Sequence, residues 1–274
     1  MRPGFIVPRL IASVLAGALL LTPAGALYAQ DMIDQLDLKS DAFTKADLTR
    51  DDVLAAIAAA GDGVADLSGK RLNGLDLSGL DLRRLKLQSA SINGAKFVGS
   101  NLDGVVLDQA WALDSDFTNA SLKGASLFST QFRDAKLDGA NFEGARVAAD
   151  FSRASLKGAN FKNADLSADM KNQSMGLMRG AFRSANLAGA SFESANLARV
   201  MMEYATLKDA NLRDANLMGA ELGGADLTGA DVAGANFNEA DVNSTRLLSL
   251  RGKASARNLD SVKNLDRAYV DKGS

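Results

Sequence analysis

From Leu67 onward the chain sets an apolar side chain at every fifth position. Leu67, Leu72, Leu77, Leu82, Leu87, Ile92, Phe97, Leu102 and Leu107 come first, then, past Ala112, Phe117 through Val147. Neither regular element has this period, since a helix repeats its faces every 3.6 residues and a strand every 2. A second position moves in step, two residues before each centre, and is mostly alanine: Ala90, Ala95, Ala120, Ala125, Ala135, and almost without exception from Ala185 to Ala240. Between the two stands Asp or Asn, as at Asp76, Asp81, Asn101, Asn141 and Asn186. The residues after each centre are polar or glycine.

A step of five with two inward positions requires the backbone to turn once per repeat. The large residue and the small one then fill the interior together, while Gly, Asn, Asp and Ser make the turns. Four turns close a square coil, and coils stack at the strand spacing of about 4.8 Å. No repeat can bury its apolar side alone, so only the stack is stable. The run ANLRDANLMGAELGGADLTGADVAGANF, Ala210 to Phe237, resembles the pentapeptide-repeat family, whose consensus is A-(D/N)-L-x-x. The resemblance covers residues 65–249 and implies an all-β solenoid, a right-handed quadrilateral β-helix with Leu or Phe at the interior centre.

Two slips interrupt the period. Val147 to Phe151 is one residue short, and Leu166 to Leu177 is one residue longer than two repeats, which places a loop near 167–176. A stack also needs closed ends. Residues 49–64 are expected to form a capping helix with Thr49 as N-cap, Asp51 and Asp52 in the first turn, Gly61 as stop, and Val53, Leu54, Ile57 and Ala58 as the apolar stripe. Residues 250–274 form the other cap and a tail, with Leu259, Val262 and Leu265 at near-helical spacing. Residues 30–48 are a linker holding one repeat-like piece, AFTKADLT.

The first 29 residues read as a signal peptide. Arg2 and Arg9 precede the apolar run Leu10–Leu21, which is too short for a spanning helix, and the small residues Ala24–Ala26 and Ala29 offer cleavage sites. This predicts a periplasmic or secreted protein with no stable membrane span after cleavage. Removing residues 1–29 takes the net charge from −2 to −4. That balance is too mild for a polybasic nucleic-acid binder and too mild to argue for a polyanion mimic.

Histidine and cysteine are absent. Thiol nucleophiles, Ser–His triads, disulfides and nearly all zinc chemistry go with them. A filled solenoid has no convergent pocket, so no enzyme and no cofactor are expected. The informative positions are those where an apolar residue stands outward: Val106 and Phe128 on one face, Trp111 and Leu113 on the next. They form a candidate partner-binding cluster, unless a bulge turns Trp111 inward in place of Ala112. Met170, Met175 and Met178 surround the loop and form a thioether set suited to Cu(I), or else simply fill gaps.

The leading function is therefore an exported non-enzymatic scaffold binding an unknown protein or envelope component through one face. The resemblance also raises a DNA-mimicking topoisomerase-binding role, which the export signal opposes, and a homodimer, since similar rods pair end to end.

Overall fold

The computed structural model describes residues 36–168 and 178–271. The expected signal peptide and most of the loop segment, including Met170, Met175 and Leu177, lie outside the described residues. The chain divides after Asp37. Of the first unit, Leu36 and Asp37 are described and are exposed. All that follows concerns the second unit, from Leu38.

That unit is a four-sided β-helix. Residues twenty apart pair in parallel on each side. The first side runs through Asp66, Lys86, Val106 and Ser126, the second through Arg71, Ser91, Trp111 and Gln131, the third through Asp76, Lys96 and Asp116, and the fourth through Asp81, Asn101 and Ser121. Among the described residues only two pairs run two residues long: β1 (Ala65–Asp66) with β2 (Leu85–Lys86), and β3 (Arg246–Leu247) with β4 (Tyr269–Val270). The sides are this short because a corner follows every centre.

Each corner is built from the repeat itself. The N–H of the small residue donates to the carbonyl of the preceding centre, as Ala90 does to Leu87 at 3.0 Å and Ala95 to Ile92 at 3.1 Å. The residue just before the small one has positive φ, 56° at Ser89 and 63° at Gly94, the signature of a type II turn. The Asp or Asn before each centre spends its Oδ1 on the N–H two residues on: Asp76 accepts from Ser78 and Asn141 from Glu143, both at 3.0 Å. This is local turn chemistry, and it accounts for the ladders of acids. Where Ser or Thr replaces the small alanine, its hydroxyl donates to a carbonyl, as Ser100 does to Leu77 and Thr130 to Leu107, both at 2.8 Å.

The interior is closed. Centres from Leu72 to Val242 are fully buried with their alanines. In the middle coils the second side carries Phe132, Phe151 and Phe182, stacked at 4.9–5.1 Å, and the fourth side carries Phe142, Phe161 and Phe192, stacked at 4.7–5.0 Å. The two columns meet edge to face.

Both slips fall on the corner between the first and second sides, one coil apart. At the upper one Ala148 and Ala149 make a shortened corner. At the lower one Phe182, rather than a residue five along, follows Leu166 as the next centre. The ladder spacing there is 31 instead of 20, an insertion of eleven residues between Leu166 and Ala181. The corner closes normally across it, because Gly180 N–H donates to Leu166 O at 3.0 Å. A Cβ on Gly180 would sit 3.2 Å from Leu166 Cβ and 3.4 Å from the Val147 carbonyl, so a side chain there would crowd the corner where the chain re-enters.

The ends differ from expectation in instructive ways. Helix α2 (Arg50–Ala59) caps the first coil, its N-terminus held by a capping box between Thr49 and Asp52. Its buried stripe is Val53 with Ala56, Ile57 and Ala60. Leu54 and Ala58, expected in that stripe, face outward, because the covered face follows i, i+3, i+4, i+7. At the other end no α-helix forms. Arg251, Arg257, Lys263 and Tyr269 pair with the coil before them, so the chain makes one more coil with six-residue sides. The extra residue of each side is taken up by a 3-10 turn, at Lys253–Ser255, Leu259–Ser261 and Leu265–Arg267, each entered through a left-handed Gly252, Asn258 or Asn264. Leu259 and Val262 point inward because of this six-residue spacing, not because of helical spacing.

Residues 40–48 are not a free linker. A single helical turn, α1 (Asp41–Thr44), and the strand-like piece after it lie along the second side.

Candidate interaction face

The docked segment crosses the first three coils of the second side. Asp47 N–H donates to Arg71 O at 2.7 Å, and Arg71 Nε returns a bond to Asp47 Oδ1 at 2.9 Å, with the guanidinium closing a second contact on the same carboxylate. These bonds hold the Asp47 carboxyl below its ordinary value and push the Arg71 guanidinium up.

Asn73, one residue past its centre, is 4% exposed. Its amide donates to the carbonyls of Ala42 and Lys45 at 3.2 and 3.0 Å, while its Oδ1 accepts from Ser91 Oγ and from Asn93 N–H at 2.7 and 2.9 Å. Asn93 repeats the arrangement one coil on, donating to Phe43 O at 3.4 Å and accepting from Leu113 N–H at 2.9 Å. At the third coil the Phe43 ring meets Trp111 edge to face, with centroids 5.3 Å apart.

Trp111 therefore points outward, with Ala112 keeping the interior centre, and the inward bulge does not occur. Yet the indole is only partly exposed and Leu113 is 6% exposed. Val106 and Phe128 stand on the first side, half-buried. The four candidate residues thus occupy two adjoining faces, and the Trp111–Leu113 half already carries a segment of its own chain. Phe43, Asn73, Asn93 and Arg71 were missed as site residues. The signal for the asparagines was available, since Asn73 and Asn93 are twenty residues apart and hence stacked.

Farther along the same side lies a half-buried charged row. Arg179 pairs with Glu221 at 2.9 Å and Arg183 with Glu203 at 3.2 Å, and Arg183 also donates to the Met201 sulfur at 3.0 Å. Burial pushes the Glu221 carboxyl up, with the neighbouring Glu203 carboxylate adding to the effect and Arg179 opposing it. Tyr204, 74% exposed, sits at the corner beside this row in a left-handed conformation (φ 60°) with its ring over Gly224. Of the thioether set, Met178 is described and half-buried in the inserted segment rather than on a repeat side. Among the described residues no group of His, Cys, Asp or Glu is arranged to hold a metal, and no helix is long and apolar enough to cross a membrane.

Eight copies of the sequence signature described as pentapeptide repeats match residues 65–104, 100–144, 147–168, 181–214 and 215–247. The chain belongs to the pentapeptide-repeat family. The solved structure of QnrB1, a plasmid-mediated fluoroquinolone resistance protein, is similar with a TM-score of 0.50 at 15% identity, over 76% of this chain and 92% of that one. HetL, a pentapeptide repeat protein involved in heterocyst differentiation regulation from the cyanobacterium Nostoc sp. strain PCC 7120, is 23% identical over 83% of this chain and 99% of that one, with a TM-score of 0.46. No functionally curated protein matches the sequence. The coil is thus the right-handed quadrilateral β-helix of the family. At 15% identity, the likeness to QnrB1 establishes the fold alone.

Proposed function

We propose that this protein is an exported, non-enzymatic scaffold that binds a protein partner on the second side of its β-helix. One observation carries the reading: that side already holds polypeptide, reading backbone carbonyls with Asn73 and Asn93 and an aromatic ring with Trp111. Backbone reading combined with a few side-chain contacts is how peptide-binding modules generally work. The interior is packed with Leu, Phe and Ala, so chemistry is confined to flat faces, which suits binding rather than catalysis. Export is supported by the charge and apolar pattern of residues 1–29.

Photo-cross-linking in the native host tests the binding face. A photoreactive residue is placed at Leu113 on the second side, Lys136 on the third, Ser121 on the fourth and Phe128 on the first. A discrete cross-linked protein is expected from position 113 and not from positions 121 or 136. Equal yields from all four, or none, would overturn the assignment. N-terminal sequencing of the purified protein tests export: a start just after Ala26 or Ala29 is expected, and an intact Met1 in the cytoplasmic fraction would refute it.

A further inference from the structure

The segment Asp41–Asp47 fits the second side in a way that names the partner. We infer that it is an occupying pseudo-ligand, and that the site beneath it recognises a partner segment carrying an aromatic side chain and, four residues later, a carboxylate. This rests on reading that side as the binding face and specifies what it binds.

The site is more thoroughly built than the segment that fills it. Asn73 is buried and has all its hydrogen-bonding capacity engaged: two amide N–H groups on the segment's carbonyls, and Oδ1 on Ser91 and Asn93. Its Oδ1 contacts reach to the next coil of the β-helix and hold the amide aimed outward. Asn93 is held by Leu113 N–H, which donates to its Oδ1, and by Ser91 Oγ, which accepts from its amide, so that its amide also reaches the segment at Phe43 O. Two such amides one coil apart read carbonyls of any sequence. Selectivity comes from the two ends of the row, where the Trp111 indole takes a ring and the Arg71 fork takes a carboxylate.

The segment, by contrast, is slight. Helix α1 has four residues, none of them buried, and its N-cap side chain makes no capping bond. A single turn has no stability of its own in water. Between Asp41 and Asp47 only Phe43 is even half-buried. Its hold consists of exposed bonds to Arg71, part-buried amide bonds from Asn73 and Asn93, one ion pair and one ring contact. It has no fully buried side chain of its own, and an element with so little buried apolar surface is one that opens locally. Once it lifts, the same carbonyl, ring and carboxylate positions are open to another chain.

Trp111 is the only tryptophan in the sequence, so its emission reports occupancy of the site directly. In the full-length protein, Phe43→Ala with Asp47→Asn is expected to shift the emission to longer wavelength and to raise acrylamide quenching about twofold or more, with circular dichroism unchanged. The synthetic peptide of residues 38–48, LKSDAFTKADL, is then expected to reverse both changes saturably. The same peptide with alanine for its phenylalanine, or asparagine for the aspartate four residues after it, should bind at least ~10-fold more weakly. Adding Asn73→Ala to the opened protein should weaken the peptide about as much. Asn243→Ala, at the equivalent position near the far end of the same side, should not.

Unchanged tryptophan emission in the double variant would show that the segment does not shield the site. Failure of the peptide to bind, or binding indifferent to its ring and acid, would overturn the recognition rule. So would saturation seen only as concentration-dependent pairing of the protein with itself, which would make the occupant a second copy's segment. The cross-linking result stands apart from these. A partner captured from position 113 with no peptide binding would leave the scaffold reading intact and remove this one.

Discussion

A phenylalanine at an interior centre does two jobs that leucine does with less material: it fills the square cross-section and it stacks on the coil above. Phe161 shows both. It lies 4.7 Å from Phe142 and 5.0 Å from Phe192 along its own side, and meets Phe151 and Phe182 edge to face across the interior. Backbone ladders fix the coil, so the walls cannot collapse into a void. Phe161→Ala should therefore cost toward the upper end of the ~3–5 kcal/mol typical of such truncations, measured by chemical denaturation with the slope checked for two-state behaviour. A second residue-scale expectation concerns Asp47. Its carboxyl titrates below the ordinary 3.8 because Arg71 bonds to the charged form. A lowered native value means that docking stability is fully present above 3.8 and is lost as the pH falls through the lowered value. Tryptophan emission followed from pH 6 downward should shift red in that acid range, before the far-UV spectrum changes. Asp47→Asn should abolish the step.

At the scale of elements, the inward set was legible because the five-residue period leaves no other placement for Leu, Phe and Ala. The cap helix was legible from Thr49, the acids after it and Gly61. What escaped was whatever depends on contact between distant residues. The ADL of residues 46–48 looked like a stray repeat, and only the coil geometry shows Asp47 meeting Arg71. The six-residue sides of the last coil were misread because Leu259, Val262 and Leu265 fit a helix and a widened coil equally well. The insertion was located correctly but its length was not, since Leu177 continues the five-residue phase by accident. That length makes a prediction. Removing residues 169–179 leaves Leu166-Ser-Ala-Gly180-Ala181-Phe182, a side of normal length, and the turn bond it needs, Gly180 to Leu166, already exists. Closing a loop of this size costs little beyond a normal corner. The excised protein should keep its circular dichroism and lie within about 1 kcal/mol of the parent by denaturant melting, less any share of the Arg179–Glu221 pair that goes with Arg179. A loss several-fold larger would mean that the insertion is structural.

For the molecule as a whole the decisive problem is stopping. A five-residue coil is a template for the next one, and its last rung offers unpaired backbone over an apolar interior, the arrangement that leads sheets to grow edge to edge. The coil after Leu250 solves this through mismatch. Arg251, Arg257 and Lys263 satisfy the ladder below, with Val232 N–H donating to Arg251 O at 2.9 Å and Val242 N–H to Lys263 O at 3.0 Å. Their own sides are a residue too long to pair with another five-residue coil, and the 3-10 turns draw backbone groups out of the ladder direction. Val262→Asp puts a charge where a side chain is now 8% exposed and should destabilise the closing coil by roughly 2–4 kcal/mol. If that coil is the stop, its loss should do more than lower the melting temperature. The apolar end formed by Val232, Phe237 and Val242 would be uncovered, and both Val262→Asp and a chain ending at Leu250 should self-associate with increasing concentration in sedimentation velocity, where the parent does not. A destabilised variant that stays at the parent's association state would show that the five-residue coil is blunt on its own, and that the six-residue sides serve only to pack the end.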